Sequence, residues 1–89
     1  MIVRMITVQN RLGLHARAAS RLVQLAQQYD AEIKILNGEQ SANGKSIMSL
    51  MMLQASAGTE LEVIVEGQDE ANAITSIVAL IEGKFGEAD

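Results

Sequence analysis

The chain has 89 residues, 48% of them hydrophobic, a formal net charge of −4 and no cysteine. That length suits one compact domain over residues 1–89, burying a little over ~60% of its unfolded surface. Without cysteine there is no disulfide framework and no thiolate metal site; with one Tyr, one Phe and no Trp there are too few rings for a base-stacking platform.

In chain order, residues 2–8 (IVRMITV) are rich in β-branched types and short enough for a strand. Asn10 to Leu14 break the pattern at Gly13. From Ala16 to about Gln28 the apolar positions Ala19, Leu22, Val23 and Ala26 recur at helical spacing, with Arg17, Arg21, Gln24 and Gln28 on another face. The alternation of Ala31, Ile33 and Ile35 with Glu32 and Lys34 predicts a second strand. Asn37-Gly38 is the dipeptide favoured in a two-residue hairpin turn, and a short return strand runs from Glu39 to Ala42.

Asn43-Gly44 turns the chain again. Ser46 then precedes Ile47 to Leu53, which predicts a helix of one to two turns with Ser46 as its cap. Of Ile47, Met48, Met51 and Met52, not all can face inward from so short a helix; core filling is the default for such residues, and an adaptable docking patch the alternative. After a turn at 57–59, Leu61, Val63 and Val65 alternate with Glu60, Glu62 and Glu66 as a strand with one solvated face, from which Ile64 departs. Asp69 reads as the N-cap of the strongest helix, whose apolar positions are Ala71, Ile74, Ile77, Val78 and Ile81. Gly83 stops it, leaving a short acidic tail.

The order βαββαβα with amphipathic strands predicts an α+β fold in which helices cover one face of a sheet and the other is wet. No uninterrupted apolar run reaches the ~18 residues of a membrane span, and no signal peptide is evident, so a soluble cytoplasmic protein is expected.

Charge is unevenly placed. Residues 1–45 carry six Lys and Arg against three acidic residues, a balance of +3, whereas residues 46–89 carry −7. An acidic chain is a poor candidate for nucleic acid, but the local basic cluster near His15 suits a phosphate or an acidic partner surface.

His15 is the only histidine, and it falls at the mouth of the first helix, where backbone N–H groups lack intrahelical partners and the dipole favours anions. Arg17, two residues on, has the donor fork that suits phosphate oxygens. A neutral imidazole, of ordinary pKa about 6.5, is a competent nucleophile, and its bond to phosphorus would be labile, as a relay needs. Ser46 supports two readings, a cap or a phosphorylation site. Asn43-Gly44-Lys45-Ser46 imitates the end of a phosphate-binding loop, but the glycine required at position 39 is Glu. One His and scattered carboxylates give no metal-ligand spacing, and no cofactor is expected.

Four blocks, GLHARAAS at 13–20, DAEIKI at 30–35, GKSIMSLMML at 44–53 and GTELEV at 58–63, resemble HPr, the family of histidine-containing phosphocarriers of the bacterial phosphotransferase system. The resemblance implies an open-faced β-sandwich, a four-stranded antiparallel sheet with three helices on one face. It implies that His15 is phosphorylated on Nδ1 by phosphorylated enzyme I, which draws on phosphoenolpyruvate, and passes the group to enzyme IIA domains. It makes Arg17 the phosphate-side partner and Ser46 the serine modified where an HPr kinase/phosphorylase exists. Ile47, Met48 and Met51, with Arg17, Ser20 and Gln24, match the docking surface. The implied protein is a monomeric stoichiometric carrier rather than an enzyme, without membrane insertion, and serves sugar transport or the nitrogen-type branch, which share the His-Arg start.

Two positions depart from the family pattern. Ala18 stands where proline is usual, which adds an N–H donor and is expected to loosen the first turn. Gly44, where Ala is frequent, is expected to loosen the approach to Ser46. The residues leave two other functional readings open. One is a non-relaying regulatory protein, whose sign would be a missing active-site His; the other is a small ligand- or RNA-binding α+β module, which needs a pocket or exposed aromatic residues.

Overall fold

The computed structural model describes the whole chain, Met1–Asp89. Four strands, β1 (Ile2–Thr7), β2 (Glu32–Asn37), β3 (Gln40–Asn43) and β4 (Glu60–Glu66), form one antiparallel sheet in the order β1-β4-β2-β3. Three helices are interleaved: α1 (Ala16–Ala26), α2 (Ile47–Met51) and α3 (Glu70–Glu82). A 3-10 turn at Lys84–Gly86 follows. The order βαββαβα and the four-stranded open sheet are those expected, with that last turn added.

Register explains which face is buried. Ile6 lies opposite Leu61, Ile35 opposite Val63 and Ile33 opposite Val65, and all six are buried. Because side chains alternate along a strand, the intervening Val3, Met5, Glu32 and Lys34 are exposed on the other face. The helices lie over the apolar face. Leu22 of α1, Leu50 of α2 and Ile77 and Ile81 of α3 are fully buried, each contributing about 1.5–3 kcal/mol relative to exposure. One cluster of 23 buried residues results, and α1 packs against both α2 and α3.

Several local expectations shift. The hairpin turn is Gly38-Glu39 and not Asn37-Gly38, since Asn37 pairs with Gln40. Gly38 takes the positive φ of +63° at the first turn position, the arrangement in which glycine leads. Asn37 stays in the strand, and its amide donates to the Leu53 carbonyl at 2.9 Å. Helix α1 ends at Ala26, two residues early, because the outward Gln27 and Gln28 add no apolar surface to its buried stripe.

Asp69 occupies the N-cap position of α3 but makes no capping bond there. Its carboxylate instead accepts from the backbone N–H groups of Asp30 and Ala31 at 2.8 and 2.9 Å, tying the start of α3 to the start of β2. Glu70 takes over at that end: it accepts from Gly67 N–H at 3.1 Å and pairs with the N-terminal ammonium at 2.9 Å. The Gly67 N–H, then the ammonium, hold its carboxyl below the usual range.

The acidic tail is the largest departure. It does not trail from Gly83 but folds back. Lys84 and Phe85 both adopt left-handed backbone, φ +59° and +56°, a conformation costing about 1–3 kcal/mol per residue outside glycine. The gain that offsets this is the Phe85 ring, completely buried. The Arg21 guanidinium donates to the Phe85 carbonyl, so α1 holds the turn from the other side.

Candidate functional site

The reversal brings the tail to the start of α1. His15 is the N-cap residue, with extended backbone (φ −80°, ψ −178°) and no side-chain capping bond. The first helical bond runs from Ala19 N–H to the His15 carbonyl at 2.8 Å. The N–H groups of Ala16, Arg17 and Ala18 lie ahead of it without acceptors, the donor array that makes a helix start receptive to anions.

The loop before His15 is held tightly. Gly13 has φ +69°, and a Cβ there would run into the Ala55 carbonyl and lie 2.9 Å from Ser56 Cα. Leu14 N–H donates to that same carbonyl at 2.8 Å. Asn10, fully buried, closes the loop by donating from Nδ2 to the Gly13 carbonyl at 2.7 Å.

Asn10 also donates to Glu87 Oε1 at 2.9 Å, while the other Glu87 oxygen meets His15 Nε2. The Asn10 amide beside it holds the Glu87 carboxyl below the usual carboxylate range. Partial desolvation opposes that shift, and the His15 ring and Arg21 reinforce it. An ionised carboxylate can only accept, so a neutral imidazole making this contact has its proton on Nε2 and its lone pair on Nδ1.

An open cleft of about 530 Å³ lies here, lined by Arg11, Leu12, His15, Arg17 and the tail. Arg11 Nε and Asp89 Oδ2 are 3.5 Å apart across it, but both side chains are about 70% exposed. A pair so solvated contributes about 0–1 kcal/mol, so the tail is anchored by Phe85, by Glu87 and by the Arg11 N–H, which donates to the Asp89 backbone carbonyl. Arg17 is exposed beside His15 and has no ion-pair or hydrogen-bond partner from its side chain. It can therefore turn toward an anion at little cost.

Ser46 caps α2, its Oγ accepting from Ser49 N–H at 3.2 Å. The default of core filling by the residues after it is overturned: Ile47, Met48, Met51 and Met52 are all exposed, Met48 and Met52 by more than 70%. Leu50 and Leu53 supply the buried side of that segment instead, and on so short a helix they exhaust it. Gln24 is exposed and Ser20 half-buried on α1, the helix against which α2 packs.

Both departures from the family pattern have structural correlates. Ala18 is fully buried, and the helix begins at Ala16, so the extra N–H joins the free donors at its start. Gly44 is closely packed, since a Cβ would lie 3.0 Å from Ile33 Cβ. Its N–H donates to the Ile33 carbonyl at 2.8 Å, so contact with β2 fixes this turn where looseness was expected.

Sequence reasoning missed Asn10, Phe85 and Glu87. A signal existed for one of them. Phe85 is a large apolar residue just past a helix stop, and such a ring is hard to leave in water. For Asn10 there was none, because a buried loop asparagine reads like any turn asparagine.

Comparison with known proteins agrees with this geometry. A family model described as the PTS HPr component phosphorylation site matches residues 2–83. Phosphocarrier protein HPr of Neisseria meningitidis is 44% identical over 89 residues, the whole of both chains. Phosphocarrier protein NPr of Shewanella violacea is 45% identical over 85 residues, 96% of this chain and 93% of its own. The crystal structure of HPr-C-His from Thermoanaerobacter tengcongensis superposes with a TM-score of 0.95 at 40% identity, covering all of both chains. No helix is long and apolar enough to cross a membrane. From the match along nearly its whole length, with a lone histidine at the start of α1, the chain belongs to the HPr family of phosphotransferase-system phosphocarriers.

Proposed function

We propose that residues 1–89 act as one unit that carries a phosphoryl group on His15 Nδ1, accepting it from phosphorylated enzyme I and passing it to an enzyme IIA domain. The observation that carries this reading is the contact between the imidazole and Glu87. Nε2 is engaged by Glu87, which leaves Nδ1 as the nitrogen with a free lone pair, on a residue that caps a helix whose first three N–H groups are unpaired. A phosphoryl group there meets partial positive charge from the helix start, and Arg17 supplies a mobile guanidinium for its oxygens.

Such a site binds the group without enclosing it, which suits a carrier that must give it up. The protein is consumed and regenerated once per transfer, so it acts as a stoichiometric carrier with no cofactor, in the cytoplasm. Ile47, Met48 and Met51 serve as the docking patch for both partners, with Arg17, Ser20 and Gln24 from α1 beside them. Their exposure on a helix that packs against α1 supports this assignment. Ser46 is the regulatory position: the residue is half-buried, and a phosphate on it would put negative charge beside the docking residues and oppose an acidic partner.

Incubation with enzyme I and phosphoenolpyruvate labelled in its phosphoryl group tests the relay. The expected result is one acid-labile label per chain, lost in His15→Ala; full labelling of that variant would sink the assignment.

A further inference from the structure

The His15 nitrogen that Glu87 holds is Nε2, not the Nδ1 of the proposed relay. Glu87 Oε2 meets Nε2, and Glu87 Oε1 accepts from Asn10 Nδ2 at 2.9 Å. The Gly13 carbonyl, which accepts from the same Asn10 nitrogen at 2.7 Å, fixes which way that amide points. Two residues upstream, the buried Phe85 ring anchors the tail. The carboxylate is thus held at both oxygens by parts of the molecule far apart in sequence, a degree of support that a surface ion pair does not have.

We propose that Glu87 is a positioning residue that keeps a proton on His15 Nε2 through both halves of the transfer cycle, an assignment that rests on the phosphocarrier reading above. In the accepting step the Nδ1 lone pair forms the bond to phosphorus. The bond from phosphorus to the donor breaks, and its electron pair returns to the donor. The ring then carries the Nε2 proton and one positive charge, which the adjacent carboxylate balances. In the delivering step the acceptor's nucleophile bonds to phosphorus, the N–P electron pair returns to Nδ1, and the ring departs as neutral imidazole with the same Nε2 proton. No proton enters or leaves the ring in either step. A ring that had lost that proton would have to depart as imidazolate, a far poorer leaving group, and a ring protonated on Nδ1 instead has no lone pair on that nitrogen with which to form the bond.

The geometry makes a sharp distinction between two substitutions. In Glu87→Gln, Asn10 Nδ2 retains the side-chain oxygen, so the new NH₂ group faces His15 Nε2. Two donors cannot share a hydrogen bond, and the ring proton moves to Nδ1. In Glu87→Ala the contact is merely lost. The test is ¹⁵N NMR of the imidazole in the full chain at neutral pH, together with the rate of phosphorylation by enzyme I. The wild type is expected as the Nε2–H tautomer and Glu87→Gln as the Nδ1–H tautomer. Its rate should be down roughly tenfold or more, the weight of one charge-assisted hydrogen bond, and Glu87→Ala should be less impaired than Glu87→Gln. An Nδ1–H tautomer in the wild type overturns the proposal without recourse to any variant, as does an unchanged tautomer in Glu87→Gln or equal rates in the two variants. The tautomer is read without a phosphoryl donor. A wild-type chain that is never phosphorylated therefore counts against the carrier reading, while the imidazole spectrum still decides the role of Glu87.

Discussion

Gly13 and Ala55 are in backbone contact: the space a Cβ on Gly13 would need is filled by the Ala55 carbonyl, with Ser56 Cα 2.9 Å away. Gly13 also has φ +69°, so Gly13→Ala meets both a steric clash and left-handed strain. The expected cost is roughly 2–4 kcal/mol, seen as a fall in melting temperature of roughly 10–25 °C. Because Leu14 and then His15 follow directly, phosphorylation should slow even where the variant remains folded. A melting temperature within two or three degrees of wild type (~2–3 °C, under about 1 kcal/mol) would show that the loop gives way freely.

The tail should behave as part of the core. Phe85 is fully buried although only four residues follow it in the sequence, and its ring is the apolar anchor of the left-handed turn at Lys84 and Phe85, which Arg21 holds from α1. Phe85→Ala is expected to cost roughly 3 kcal/mol and to release Glu87 from His15. Denaturant unfolding measures the first, and the Asn10 side-chain amide resonances report the second. Unchanged stability with a changed tail would mean that the turn packs on the core without contributing to it.

Acid should undo the tail by a route whose sign is fixed. The Glu87 carboxyl lies below its ordinary range in the folded chain, first through Asn10. Its contribution is therefore complete above the unfolded carboxylate range and is lost as pH falls through the lower folded value. Glu70, lowered by the Gly67 N–H and the N-terminal ammonium, shifts in the same sense. The stability gap between wild type and Glu87→Ala should accordingly be widest at neutral pH and close below about pH 4. Denaturant midpoints across that range check this; a gap that widens on acidification contradicts the sign.

Met48 separates docking from folding. It is 73% exposed, so Met48→Asp should leave stability within about 0.5 kcal/mol. Loss of an apolar anchor and a new negative charge should weaken enzyme I binding about tenfold or more. Calorimetric titration against enzyme I, paired with a thermal melt, resolves the two. Unaltered affinity would remove Met48 from the docking surface.

The layers of the fold were legible because they rest on periodicity. Ile33 and Ile35 alternate with charged residues, and Leu22 and Val23 recur at helical spacing, so the burial of each element could be read locally. His15, Arg17 and Ser46 were legible for a similar reason, as each is defined by its place at a helix start. What could not be read was long-range. Asn10 and Glu87 are 77 residues apart, and nothing in either segment announces the other. Asp69 shows the same limit, since its position suggested a cap but its carboxylate is taken by the amides of Asp30 and Ala31. Glu87 looked like solvated tail because charge near a terminus usually is; the ring of Phe85 decided otherwise.

In the proposed relay His15 Nδ1 is the atom that carries the phosphoryl group. NMR of chain labelled with ¹⁵N in the imidazole, recorded after incubation with enzyme I and phosphoenolpyruvate, reads that atom directly through coupling to ³¹P. One phosphorus coupled to His15 Nδ1, with the proton still on Nε2, is the predicted result. Phosphorus bonded to Nε2, or a phosphorylated chain with both ring nitrogens uncoupled, would contradict it.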